Sequence, residues 1–472
     1  MEFKQILAGL TICIILSPIM AIGKEQKQST KMGILKSDVW RNKTPDWTAE
    51  GNQEEAYFGV VVSTAGDVNG DGYGDVIIGA PGYDNGQDDD GRVFVYYGST
   101  SGLLKIADWT AKGNQDEAYF GWSVSTAGDV NGDGYSDVIV GAPGYHEYAG
   151  RAFVYYGSAS GLSTGAKWIG GAEQAKEYYG VSVSGAGDVN GDGYGDVIVG
   201  ADMYDNGERN EGRAYVYYGS ASGLSQSYAW TAEGNQDEAY FGTSVSEAGD
   251  VNGDGFSDVI IGADMYDDSV NVDVGYAYVY YGSASGLSKT ANWIATGKQE
   301  FAYFGISVSE AGDVNGDGFS DVIIGAHYYD NGETNEGRAF VYHGGASGLS
   351  KTYNWAAEGD QAYAHFGISV SEAGDVNDDG FLDVIVGLYG YDGGQPNEGR
   401  AFVYHGSASG LSKTYNWAAE VGQKYAYFGI SVSKAGDVNG DGFSDVIIGA
   451  YQYDNSDKNE GSTFIYYGST LR

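Results

Sequence analysis

The stretch Asp67-Val-Asn-Gly-Asp-Gly-Tyr-Gly-Asp75 returns almost unchanged at Asp129, Asp188, Asp250, Asp313, Asp375 and Asp437, at steps of 62, 59, 62, 63, 62 and 62 residues. A period this regular over most of a 472-residue chain calls for one array of like units, not several unrelated domains.

Each unit repeats one order of short apolar runs and glycine turns. In the second copy Phe120 to Gly128 leads into the aspartate loop, Asp137 to Pro143 follows, then a variable connection, Gly150 to Gly157, a Ser/Gly turn and a stretch ending at Trp168-Ile169. Such runs predict four short strands per unit. Four antiparallel strands repeated radially make a propeller blade, so the expected fold is all-β, a seven-bladed β-propeller. The tryptophan of the fourth strand stands at Trp47, Trp109, Trp168, Trp230, Trp293, Trp355 and Trp417. Trp47 precedes the first three-strand group and the last group has no fourth strand, so the N-terminal strand is expected to complete the last blade and close the ring. An open solenoid would need polar caps, and none is visible.

Differences in repeat length fall in one connection. From the residue after the glycine of strand two to the glycine opening strand three the offset is 11 in most units, 8 in the second (Ala142 to Gly150) and 12 in the fourth (Ala263 to Gly275). Hairpin turns alternate between faces, so this variable connection is expected on the face opposite the aspartate loops, and loop variation marks an interaction surface.

The loop pattern Asp-x-Asn-x-Asp-Gly-x-x-Asp offers oxygen ligands at positions one, three, five and nine, with the backbone carbonyl of position seven available. An all-oxygen cage suits Ca²⁺; Mg²⁺ wants a smaller octahedral site and Zn²⁺ prefers nitrogen and sulfur. The expected ligands are Asp67, Asn69, Asp71, Tyr73 and Asp75; Asp129, Asn131, Asp133, Tyr135 and Asp137; Asp188, Asn190, Asp192, Tyr194 and Asp196; Asp250, Asn252, Asp254, Phe256 and Asp258; Asp313, Asn315, Asp317, Phe319 and Asp321; Asp375, Asn377, Asp379, Phe381 and Asp383; and Asp437, Asn439, Asp441, Phe443 and Asp445. Up to seven calcium ions follow, structural because seven near-identical sites each pin one hairpin. The competing account is Asp/Asn/Gly turns that satisfy their own backbone. In the sixth copy Asp378 replaces the glycine of position four, which adds charge and on the sequence removes no ligand.

The formal charge of −40 argues against nucleic acid and anionic membranes as partners. Twenty-one aspartates lie at positions one, five and nine of the loops, and seven bound divalent ions would bring the balance to −26. Residues 1–23, with an apolar run from Ile6 to Ile22 and small residues at Ala21 and Gly23, predict a signal peptide and an exported protein with no membrane insertion after cleavage. The rival is an uncleaved anchor. Residues 24–45 read as a linker and 46–472 as the propeller. The only cysteine, Cys13, lies in the apolar run, so the mature chain would have no disulfides.

With Phe58-Gly59, the loop from Asp67 to Asp75 and Gly79-Ala80-Pro81, the unit resembles the FG-GAP repeat of integrin α-subunit N-terminal domains. Phe-Gly recurs at Phe120, Phe241, Phe304, Phe366 and Phe428, with Tyr179-Gly180 in the third copy; Gly-Ala-Pro is complete only in the first two. The resemblance covers about residues 46 to 469. It implies a seven-bladed propeller with calcium in the lower-face loops and partner recognition by the upper face.

On that upper face Tyr83, Tyr204 and Tyr329, each followed by Asp-Asn-Gly, and Trp122, which replaces a smaller residue, are candidate partner contacts. The alternative is that each tyrosine packs against its own turn and that Trp122 is a packing substitution. Arg92, Arg151, Arg213, Arg338 and Arg400 open strand three and are expected in scaffold ion pairs, while His343 and His405 read as tolerated surface changes. No catalytic constellation stands out. The expected function is a non-enzymatic adhesion or binding module for a protein or glycan partner, with a multivalent lectin as the alternative.

Overall fold

The computed structural model describes residues 44–470; the expected signal segment, Cys13 and nearly all of the linker lie outside them. Among the described residues no helix is long and apolar enough to cross a membrane.

Among the described residues seven four-stranded antiparallel sheets follow one another. In the first blade the strands are Val61–Gly66, Asp75–Ala80, Arg92–Tyr96 and Trp109–Lys112, paired in sequence order. The first strands of neighbouring blades pack on one another all the way round, so they make the inner wall of the ring. The strand Trp47–Glu50 pairs with Ser462–Tyr466, Trp47 opposite Ile465, and completes the seventh blade as expected.

Second strands are buried along their whole length because both faces lie between blades, which is why they read Asp-Val-Ile-Ile-Gly-Ala without polar alternation. Each core forms across a blade boundary: Ile77, Val93 and Trp109 of the first blade meet Phe120, Val138 and Tyr155 of the second. The tryptophan fastens this boundary. Trp109 lies edge-on to Tyr155 at 4.8 Å and its indole N–H donates to the Ser163 carbonyl at 3.1 Å, both in the next blade. Trp47 does the same across the closure, with Tyr96 at 4.8 Å and the Leu104 carbonyl at 2.8 Å. The indole thus contributes burial and a satisfied donor at once.

Candidate functional site

Every first strand carries a bulge before its last residue, as between Thr64 and Gly66, and the aspartate loop follows it. Asp67 accepts the backbone N–H groups of Gly70, Asp71 and Gly72 at 2.7, 3.1 and 2.8 Å, and Asp71 accepts that of Tyr73 at 3.1 Å. Asp75 is buried and accepts the N–H of Val68 and of Gly98, each at 2.9 Å, so it ties the loop to the turn after strand three. Position seven faces the neighbouring loop: a Cβ on Gly70, which has φ 74°, would lie 2.5 Å from the Tyr135 ring, so a side chain there would need that ring to shift.

Burial, with Asp71 and Asp67 close by, pushes the Asp75 carboxyl from its ordinary 3.8 up to about 7. Asp137, Asp196, Asp258, Asp321 and Asp383 also reach about 7 and Asp445 about 8, burial being the first cause each time. Seven pockets of crowded carboxylates therefore lack positive charge, and an all-oxygen donor set beside them fits a hard divalent cation. As the side chains stand, no three Asp, Glu, His or Cys groups among the described residues close on one point; the carboxylates face the loop backbone instead.

The sixth loop differs. Asp378 keeps a left-handed backbone at φ 57°, but Asn377 is buried, lies 3.4 Å from Asp383 Oδ2 through its amide nitrogen, and has a buried Oδ1 without a hydrogen-bond partner. In the other copies this oxygen accepts the N–H two residues on, as Asn69 does from Asp71 at 2.9 Å. The glycine-to-aspartate change therefore accompanies a turned ligand side chain, which the sequence did not reveal.

The variable connections do lie on the opposite, upper face, where a glutamine latches them. Gln299 donates to the Asp330 carbonyl at 2.8 Å and accepts the Asp330 N–H at 2.6 Å, and the pairs Gln53–Asp84, Gln361–Asp392 and Gln423–Asp454 repeat it. Of the candidate partner contacts, Tyr204 is buried and Tyr83, Tyr329 and Trp122 are half-buried. The arginines explain the tyrosines: Arg92, Arg213 and Arg338 lie over the rings of Tyr83, Tyr204 and Tyr329 at 5.2, 4.0 and 5.2 Å. Arg213, Arg338 and Arg400 also make the expected ion pairs, with Glu233, Glu358 and Glu420, whereas Arg92 bonds the Thr110 hydroxyl and Arg151 the His146 ring. His405 is buried and His343 half-buried, not surface substitutions, and burial holds His343 below its ordinary 6.5.

Two features escaped the sequence. On the inner wall Glu247, Glu310, Glu372 and Lys434 occupy one strand position in four successive blades, with Lys434 Nζ 2.5 Å from Glu372 Oε2. At the upper mouth aromatic rings pass from blade to blade: Tyr57, Tyr451, Tyr427, Tyr389, His365, His327 and Tyr303 follow one another at centroid distances of 4.9–6.0 Å. In the third and fourth blades the residue after Gly-Ala is Asp202 or Asp264 instead of a ring, on either side of Tyr240 in sequence order. Asp202 Oδ1, Asp264 Oδ1 and His327 Nδ1 are buried without a hydrogen-bond partner. Burial raises Asp202 to about 7 and Asp264 to about 8. The signal was present in the sequence as the loss of proline after Gly-Ala.

The FG-GAP repeat family matches residues 58–96, 120–155, 179–217, 241–280, 304–342 and 428–466. The unit between them, Ser369 to Tyr404, forms the same blade. Integrin alpha-5 of Xenopus laevis is 33% identical over 240 residues, 49% of this chain and 22% of that protein. Integrin alpha-V of Gallus gallus is 35% identical over 223 residues, 46% of this chain and 20% of that protein. The chain thus matches about a fifth of the length of these relatives. Among solved structures the Dos1 propeller aligns over 90% of this chain and 96% of its own, at 10% identity and a TM-score of 0.44.

Proposed function

We propose, on the premise that this chain is an FG-GAP repeat protein with an integrin α-like propeller, that it is an exported, calcium-stabilised module binding a protein partner through its upper face. The observation that carries this is the upper mouth: a run of aromatic rings interrupted by two aspartates, each with a buried oxygen that no donor reaches. A buried acceptor without a donor costs about 1–3 kcal/mol. A lysine or arginine of a partner would supply the donor, offset the charge and lie among ring faces. A protein is favoured over one sugar per blade because the Tyr-Asp-Asn rings lie against arginines and their aspartates are latched by glutamines.

Calcium would be held by the carboxylates of positions one, five and nine, with the position-three amide in six of the loops. When bound it supplies positive charge that neutralises crowded carboxylates and cross-links each hairpin. The chain's own part is to hold position nine against two backbone N–H groups. No catalytic role is assigned to the Glu247, Glu310, Glu372 and Lys434 cluster.

The test is isothermal titration with short amidated peptides carrying one lysine or arginine. Saturable one-to-one binding, weakened at least about tenfold by Asp202→Asn with Asp264→Asn, is expected. Equal binding to the double variant would refute the mouth as the contact.

A further inference from the structure

One backbone position of the upper face, two residues before the Tyr or His that precedes each first strand, is left-handed in every blade. In four blades it carries a charge, at Glu55, Glu117, Lys176 and Glu238 with φ of 57°, 52°, 62° and 55°. In the last three it carries a ring, at Phe301, Tyr363 and Tyr425 with φ of 59°, 62° and 59°. The backbone is the same throughout, and charged side chains satisfy it in four blades, so the fold does not ask for an aromatic. Bulky residues seldom adopt this conformation, and here the rings stay in water: Phe301 is 48%, Tyr363 57% and Tyr425 48% exposed.

The same arc continues into the fourth blade's connection, the longest of the seven. Val270 is 85% and Val272 41% exposed, and the Phe301 N–H donates to the Val272 carbonyl at 3.0 Å, which joins the valines to the first ring. Apolar exposure is thereby collected on one side of the upper face. The corresponding positions of the first, second and fourth blades are acidic, and Asp268, Glu300 and Asp360 are near neighbours of the arc's residues in sequence, as are Lys298 and Lys424.

We infer that this arc docks a protein segment carrying aliphatic or aromatic side chains next to basic ones. This rests on the upper face being the partner-binding face. Exposed aliphatic residues mixed with aromatics are the composition of protein contact surfaces. Valines offer a sugar neither a stacking face nor a hydrogen bond, which disfavours a glycan, and the acidic setting repels an acidic partner while steering a basic one.

A phage-displayed random dodecapeptide library selected on the full chain in calcium supplies the probe. Selected peptides are synthesised and measured by fluorescence anisotropy against the native chain, against Phe301→Ser with Tyr363→Ser and Tyr425→Ser, and against Asp202→Asn with Asp264→Asn. Peptides rich in apolar residues and Lys or Arg are expected, binding at least about tenfold more weakly to the triple variant and more weakly as salt rises. Because polar residues already fill this position elsewhere, the triple variant should melt like the native chain; if it does not, Tyr363→Lys, which copies Lys176, is measured instead. Unchanged binding to the triple variant, acidic peptides or no selected peptide would each overturn the inference. A glycan-array signal, or dimers in light scattering, that the triple variant abolishes would replace the occupant by a glycan or a second copy. Peptides that bind the triple variant normally but fail on the Asp202/Asp264 variant would refute the arc and keep the upper-face function; peptides insensitive to both would refute both.

Discussion

Raising pH in the presence of a chelator should destabilise this protein strongly, and calcium should abolish the effect. The seven position-nine aspartates are fully buried, and their folded carboxyls titrate near 7 or 8 against an ordinary 3.8. For an acid whose folded value lies above its unfolded one, the folded state binds more protons in between. Stability is therefore greatest below the unfolded value and is lost as pH rises through the folded value. At ~1.4 kcal/mol per pKa unit, moving from pH 5 to pH 8 costs about 2–3 kcal/mol per site, on the order of 20 kcal/mol over seven. That is comparable with the whole stability of many domains. With unfolding entropy near ~2 cal/mol/K per residue, a ring of this size loses about 1 °C of Tm per kcal/mol, so a fall of roughly 20 °C is expected. Differential scanning calorimetry in EDTA and in calcium at pH 5, 6, 7 and 8 measures it. A Tm that is flat or rises with pH in EDTA would refute the reasoning, as would an equal fall in both buffers.

Asp254→Ala should separate metal binding from backbone pinning. Asp254 accepts one exposed N–H, from Phe256 at 3.1 Å, so in EDTA the variant should lose under about 1 kcal/mol, whereas in calcium it should lose several degrees of Tm; equal losses would count against a cation there. Trp47→Ala should cost about 3–5 kcal/mol by removing a buried indole and its bond to Leu104 across the closure, read by urea unfolding; a loss under 1 kcal/mol would mean the ring does not depend on that strand. Gln299→Ala removes both bonds of one latch and should cost about 1–3 kcal/mol, with faster amide exchange at Asp330 as the local signature. Asp202→Asn with Asp264→Asn should raise Tm above that of the native chain at pH 8.5 but not at pH 5, because it removes two buried acids whose raised values penalise the folded state once ionised.

The period, the four strands per unit and the surplus strand at Trp47 were legible because they are properties of consecutive residues: alternating apolar runs, glycine turns and a count that does not close without the N-terminus. The aspartate loops were legible for the same reason, since position one and position nine are eight residues apart and one hairpin joins them. Other side chains were not. Tyr204 reads as an exposed aromatic in a polar loop, yet Arg213, nine residues on, lies over its ring once strand three pairs with strand two. His405 reads as a surface change and is buried.

What the sequence determined by itself was the architecture, seven like blades closed by their first strand, because the information repeats within every unit. What only the tertiary structure decided was the difference between the two faces and between the halves of one face. Closing the ring brings together residues far apart in the chain, so His327 meets His365, 38 residues on, and Phe301, Tyr363 and Tyr425, 62 residues apart, take one position in successive blades. No local pattern encodes such neighbours; the rotation from blade to blade creates them.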